Sequence, residues 1–143
     1  MKVVDDGIFD RLSSSAELLA LLSTYAGAPA IITTTPVPPG VVPPFIVVPS
    51  TPMDQTGGWE TKNSAGRQWR RDIFLYMRNK GDSSVADDGA ELIRDLFHRK
   101  HGLLTIAGFD VMVCEATGPI EAPTDDTMFG RVVTVMITAA VQL

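Results

Sequence analysis

The feature that most constrains the fold is the stretch 67–79, RQWRRDIFLYMRN, which has the two-residue periodicity of one long β-strand. One face carries mainly apolar side chains: Trp69, Ile73, Leu75 and Met77. The other face carries a mixed set: Gln68, Arg70, Asp72, Phe74, Tyr76 and Arg78. Between residues 73 and 77 both faces are apolar, although a strand in a small sheet normally buries only one. We therefore predict two covers for this strand, a helix layer on one side and another subunit on the other.

The size and composition are those of one globular domain, which we place over residues 1–143. Hydrophobic residues make up 45% of the chain and charged residues 20%, so disorder is not expected. The net charge of −5 argues against a protein that binds nucleic acid through its phosphates. The N-terminus lacks the apolar run of a signal peptide, no stretch has the length of a membrane span, and Cys114 is the single cysteine. These features predict a soluble cytoplasmic protein in a reducing compartment, with no membrane partner.

Two segments have the periodicity of amphipathic helices. Residues 5–23 are predicted to form a helix in two pieces, because serines interrupt the apolar stripe and Ser14 with Glu17 matches a capping box. Residues 84–101 give the clearest helix of the chain, with Ser84 as its cap. Acidic residues near its start and basic residues near its end both suit the helix dipole.

The remaining periodic segments are predicted strands. Eight of the ten prolines lie in residues 29–52, so that segment cannot be a central strand throughout. Within it, Ile31–Ile32 could begin a short strand, and Pro44–Ser50 is predicted to lie at a sheet edge. Two further strands are expected at 109–116 and 130–143, joined by a loop over 117–127. The order of elements predicts an α+β fold, with an antiparallel sheet of about four strands and two helices packed on one face.

The polar segment 51–66 has no periodicity and is long for a hairpin loop, which is typical of a functional or disordered segment. Trp59 lies in its middle. Either Trp59 folds back onto its own domain or it meets a partner surface, where tryptophan is enriched.

The sequence contains no strong catalytic motif, so we expect neither an enzyme nor a cofactor. His98 and His101 are three residues apart on a helix, but a basic helix end explains them without a metal. Cys114 lies in an apolar strand, where a small core residue is a better interpretation than a nucleophile. The arginines at 67, 70 and 71, with Arg78 beyond, could contact phosphate; because the chain is acidic, we favour salt bridges within or between subunits.

The order of elements resembles a known family. A helix precedes a proline-bearing link and the strand PFIVV at 44–48; a polar loop, the RQWRRDIFLYMRN strand, the AELIRDLFHRK helix and two closing strands follow. This order is similar to that of the tail terminator or tail completion proteins of long-tailed bacteriophages, including minor tail proteins that join head and tail. The resemblance covers nearly the whole chain and is a pattern of elements rather than a sharp motif.

The resemblance implies a structural virion protein of the tail or neck, assembled in the host cytoplasm. It implies a homo-hexameric ring that caps the tail tube, with the tail tube protein and the head–tail connector proteins as partners. DNA would pass through the ring without sequence-specific binding, since an acidic lumen repels it. The candidate subunit or partner interface is the following set: Trp59, Arg67, Arg70, Arg71, Phe74 and Tyr76.

An alternative interpretation is a small-molecule-binding or enzymatic α+β domain, in which the segment 51–66 forms a lid over a pocket beside the sheet. Arg70, Asp72 and His98 would contribute the polar groups of that pocket. An enclosed cavity lined by these residues would favour this alternative over the structural role.

Overall fold

The computed structural model describes residues 2–34, 37–49, 55–56, 66–78, 83–122 and 128–142. Within these ranges three helices are present: α1 (Lys2–Ser13), α2 (Ala16–Leu21) and α3 (Ser83–Phe97). The same ranges contain eight strands: β1 (Thr24–Tyr25), β2 (Ala28–Pro29), β3 (Ile31–Ile32), β4 (Phe45–Val47), β5 (Gln55–Thr56), β6 (Gly66–Arg78), β7 (Phe109–Ala122) and β8 (Met128–Val141). A short 3-10 turn, His101–Leu103, follows α3.

The main sheet is organised around β6, as its periodicity predicts. Its strand order is β3–β4–β6–β8–β7, and β5 pairs with β6 beside β4. All of these pairs are antiparallel except β3 with β4, which is parallel. β1 and β2 form a separate hairpin whose turn residues, Ala26 and Gly27, have φ angles of 52° and 82°. The α+β class is thus confirmed, and the sheet is larger than the four strands expected.

The helices pack on one face of the sheet and form the main core with it. The inward residues of β6, including Ile73 and Leu75, belong to the same buried cluster as residues of the three helices, such as Ile8, Leu18 and Ile93. Gly89 permits a close approach, because a Cβ atom there would lie 2.9 Å from a methyl group of Leu75. The predicted helix layer over one face of β6 is confirmed.

Two predictions about strands were wrong, and proline explains both. The segment predicted at the sheet edge, Pro44–Ser50, forms only Phe45–Val47, and β3 lies outside it. Prolines on both sides shorten this strand without forcing it to the edge. The loop predicted over 117–127 is strand as far as Ala122. β7 is an edge strand, so it tolerates Pro119 within an irregularity between Thr117 and Ile120.

The helix ends also differ from the predicted ones. The cap of α2 is Ser15 rather than Ser14: its hydroxyl accepts a hydrogen bond from the Leu18 N–H at 3.3 Å. Helix α3 begins at Ser83, so Ser84 lies in its first turn rather than at the cap. It ends at Phe97 because Arg99 adopts a left-handed conformation, with φ of 58°, and reverses the chain.

Candidate interaction surface

The sheet face opposite the helices, here called the open face, has an apolar and a polar half. Register places Phe74 and Tyr76 of β6 opposite Val132 and Gly130 of β8, in the apolar half. The polar half is built from the other ends of the same strands: Gln68, Arg70 and Asp72 of β6, Thr138, Met136 and Thr134 of β8, and Glu115 and Thr117 of β7. The rest of the chain packs against the apolar half and leaves more of the polar half uncovered.

The apolar half packs against apolar residues of the same subunit, several of which lie beside it on β3 and β4. Ala30, Ile32, Phe45 and Val47 form a second buried cluster, against which Tyr25, Val41, Phe74, Tyr76 and Met128 pack. The Tyr76 ring lies 5.4 Å from that of Phe45 and is stacked 6.1 Å from that of Phe74. The Ser23 hydroxyl donates to the Val42 carbonyl and helps to hold this cover. The second cover predicted for residues 73–77 is therefore partly internal, and Phe74 and Tyr76 are half-buried.

Gly130 makes this aromatic packing possible. It lies opposite Tyr76, and a Cβ atom at this position would come within 2.8 Å of the Leu75 carbonyl oxygen and 2.9 Å of the Tyr76 ring. Tyr76 therefore lies across a strand position that has no side chain, an arrangement in which an aromatic ring shields a glycine.

The polar half is partly exposed, with Arg70, Glu115 and Thr117 exposed and Thr138 buried, and it carries a small hydrogen-bonded network. The Thr134 hydroxyl donates to Asp72 Oδ1 at 2.7 Å, and Arg70 lies 3.5 Å from the same oxygen. The Arg70 side chain is 44% exposed, so this contact contributes little to stability. Glu115 lies beyond Met136 on the far strand and is also exposed. This half offers both signs of charge to a polar partner.

The edge strand β7 adds exposed apolar side chains to this surface. Met112 and Val113 lie at one strand irregularity and Ile120 at the other, and Ile120 is 63% exposed. The backbone edge itself is partly blocked: the Arg99 N–H donates to the Cys114 carbonyl at 2.8 Å, and the Ala116 N–H donates to His98 Nδ1 at 3.2 Å. At Cys114 and Ala116, therefore, the side chains of neighbouring β7 residues are available to a partner, whereas these backbone groups are not.

The predicted arginine cluster divides between the two sides of β6. Arg71 is 1% exposed; its Nε donates to Asp5 Oδ1 of α1 at 3.0 Å, and its Nη1 donates to the Arg70 carbonyl at 2.9 Å. Arg67 shares this helix-facing side and is half-buried. Arg70 and Arg78 are exposed on the open face. Arg71 therefore binds within the subunit, whereas a partner can reach Arg70 and Arg78.

Most of the segment 51–66, including Trp59, lies outside the described residues. The described part, Gln55–Thr56, forms β5 and pairs with Gln68 and Arg67. This pairing places Gln55 and Thr56 beside the polar end of β6.

The residues of the alternative pocket do not converge. Arg70 and Asp72 lie on the open face, whereas His98 lies at the β7 edge against Ala116. A shallow cleft of about 200 Å³ lies elsewhere, and Asp10, Arg11 and Thr105 are among its lining residues. The described residues include no group of three or more metal-ligating side chains. Burial raises the pKa of the Cys114 thiol to about 11, which makes it a poor nucleophile near neutral pH.

Sequence reasoning missed the exposed Ile120 of β7, because residues 117–127 were predicted as loop. Alternation could not have found Ile120, because the irregularity between Thr117 and Ile120 breaks the two-residue period. No helix within the described ranges is long and apolar enough to cross a membrane.

Comparisons with known proteins identify the fold. The sequence matches no family model and no curated protein. Among solved structures, the chain is similar to one chain in the virion of a native gene transfer agent particle, with a TM-score of 0.69 and 15% sequence identity. The match covers 94% of this chain and 92% of the other. The protein therefore shares its fold, over nearly its whole length, with a chain of that virion.

Proposed function

We propose that the protein is a structural component of a phage-like virion, which caps the tail tube and joins the tail to the head connector as a ring. The observation that carries the proposal is the shared fold with a gene transfer agent virion chain, because it spans nearly all of both chains. The order of elements in the sequence supports the same assignment independently.

The proposed partner surface is the polar half of the open face together with the exposed side chains of β7. Arg70 and Ile120 are its central members, since both are exposed and lie on the same side of the sheet. Trp59, which lies outside the described residues, and Arg67, which lies on the helix-facing side of β6 and pairs with Thr56, stay in the proposal from the sequence alone. Phe74 and Tyr76 support it from the covered half. In this proposal the tail tube or connector proteins cover the face that the helices leave open.

A virion assembled without the protein tests the role. Electron microscopy of such particles is expected to show abnormally long tails or heads and tails that are not joined. Normal particles would contradict the proposal. Light scattering gives a second test: a protein that stays monomeric after mixing with tail tubes would also contradict it, whereas a monomer in isolation would not.

A further inference from the structure

The turn after α3 forms an exposed knob of two cations and a leucine, here called the basic knob: Arg99, Lys100 and Leu103. All three are exposed, and Leu103 is 61% exposed. Backbone hydrogen bonds hold the turn in place, from Arg99 N–H to the Cys114 carbonyl at 2.8 Å and from Lys100 N–H to the Phe97 carbonyl at 3.1 Å. The chain thus presents a positively charged, partly apolar feature on a fixed backbone.

Arg99 occupies a position that normally favours glycine. Its φ of 58° lies in the left-handed region, which a side chain adopts at a cost in free energy. Neither Arg99 nor Lys100 has a carboxylate within salt-bridge distance among the described residues. The cost of an arginine here is therefore not offset by an ion pair within the described part of the subunit.

The exposed side of α3 carries the opposite charge. Asp88, Glu91 and Asp95 are spaced three and four residues apart, so they lie on one stripe of the helix, here called the acidic stripe. All three are exposed, and Val85, which is 38% exposed, lies at its N-terminal end. Within the described ranges no cation pairs with Asp88 or Glu91. The stripe is therefore opposite in charge to the knob, and each of the two patches includes one exposed apolar side chain.

We propose that the basic knob of one copy docks on the acidic stripe of the next copy in the ring. The stripe lies on α3 and the knob lies in the turn after α3 ends at Phe97, so they are different patches of the same chain. A contact between two different patches is head-to-tail, which is the interface type that builds a ring. This inference rests on the proposed function, and it assigns the contact between copies to the helix layer, which leaves the open face for the tail or connector.

A copy of the same chain fits the knob better than DNA does. A phosphate backbone would use the two cations but not Leu103, and the chain as a whole carries −5. The acidic stripe uses all three residues, since Val85 lies beside Asp88 on the same helical face.

Charge reversal on each side tests the docking. The knob variant carries Arg99→Glu with Lys100→Glu, and the stripe variant carries Asp88→Lys with Glu91→Lys. Each alone places like charges against each other, so each is expected to form rings on tail tubes at least about tenfold less well than the original protein. An equimolar mixture is expected to restore the rings, because the two variants then alternate with opposite charges in contact. Thermal melting of each variant shows whether it remains folded.

Disulfide trapping provides a readout that does not depend on charge. Leu103→Cys combined with Val85→Cys is expected to link successive copies into a ladder, since both side chains lie at the contact. The native Cys114 is 1% exposed and does not compete. Leu103→Cys combined with Thr117→Cys is the matched control; Thr117 lies on the open face, so no ladder is expected.

Three results would overturn the inference: rings from either charge variant alone, a mixture that fails to restore them, or a knob variant that loses only DNA binding. Failure to restore would assign the knob to another virion protein. Tail length separates these results from the proposed function. Rings that form normally and cap tails despite reversed charge would overturn the docking but keep the function. An original protein that leaves tails uncapped would contradict the function itself.

Discussion

The two faces of β6 differ in what covers them. On the helix side, Ile73 and Leu75 are 0% and 2% exposed and lie in the main core. On the open face, Phe74 and Tyr76 are half-buried beside Val47 and Phe45 of β4 and against the cluster that includes Tyr25 and Val41, and Arg70 is exposed. Folding buries most of the helix side of β6, but it partly buries the open face over only about half its length.

This difference separates stability from assembly. Buried apolar side chains on the helix side supply the free energy of folding. The uncovered half of the open face contributes little to folding and remains available to other molecules. Substitutions on the two faces should therefore affect different measurements.

The largest expected effect is on the helix side of the strand. Ile73→Ala should lower the free energy of unfolding by about 2–5 kcal/mol, because a fully buried side chain leaves a cavity. Urea denaturation measures this. Phe74→Ala, one residue along and on the other face, is the matched control and should cost less because its ring is only half-buried. Equal losses would mean that the two faces are equally covered.

A smaller loss is expected from filling the glycine position under Tyr76. Gly130→Ala should cost about 1–3 kcal/mol, because the new methyl group meets the Leu75 carbonyl and the Tyr76 ring. Thermal melting of this variant beside Gly102→Ala, where a Cβ atom meets nothing within 4 Å, isolates the crowding. An unchanged melting temperature would show that Tyr76 does not pack across the glycine.

Arg70→Ala should change the free energy of unfolding by no more than about 0.5 kcal/mol, since its ion pair is exposed. Binding to tail tubes or connector rings, measured by co-sedimentation, should nevertheless fall. Arg94→Ala is a comparable change on α3, away from the open face, and should leave that binding unchanged. Loss of stability with intact binding would reverse the roles of the two faces.

The smallest effect concerns Cys114, which lies on the helix-facing side of β7. Burial raises its pKa from 9.0 to about 11. Below the unfolded pKa both states hold the proton; above it the unfolded chain releases the proton first, so stability falls as pH rises towards the folded pKa. Between about pH 9 and about pH 11 the original protein should lose stability as the pH rises, and Cys114→Ala should lose less over the same range. Parallel losses would show that the thiol is as hydrated in the folded state as in the unfolded chain.

The long periodic elements could be predicted from the sequence because the repeated apolar pattern lies within each element and does not depend on distant residues. β6 and α3 repeat their apolar pattern over 13 and 15 residues, and both were predicted within a few residues of their ends. The path of β7 past Pro119 could not be predicted, because a proline is acceptable only at an edge and strand order is a tertiary property.

The candidate surface was less accessible to sequence reasoning. The apolar character of Phe74 and Tyr76 indicated a second cover, but its source was not visible, because the chain around Tyr25 and Val41 has no strand periodicity of its own. Arg71 was grouped with its neighbours, since its partner Asp5 lies 66 residues away in sequence. Contacts at such separations leave no local pattern.

The central claim, that the open face is covered in the assembled particle, is tested most directly by methionine oxidation of the free protein and of the particle. Met112 is 59% exposed, and Met136 lies beside Arg70 on the open face. Both should be oxidised in the free protein and protected in the particle, whereas Met77, 9% exposed on the helix side, should be slow in both. Equal oxidation of Met112 and Met136 in the two states would contradict the account.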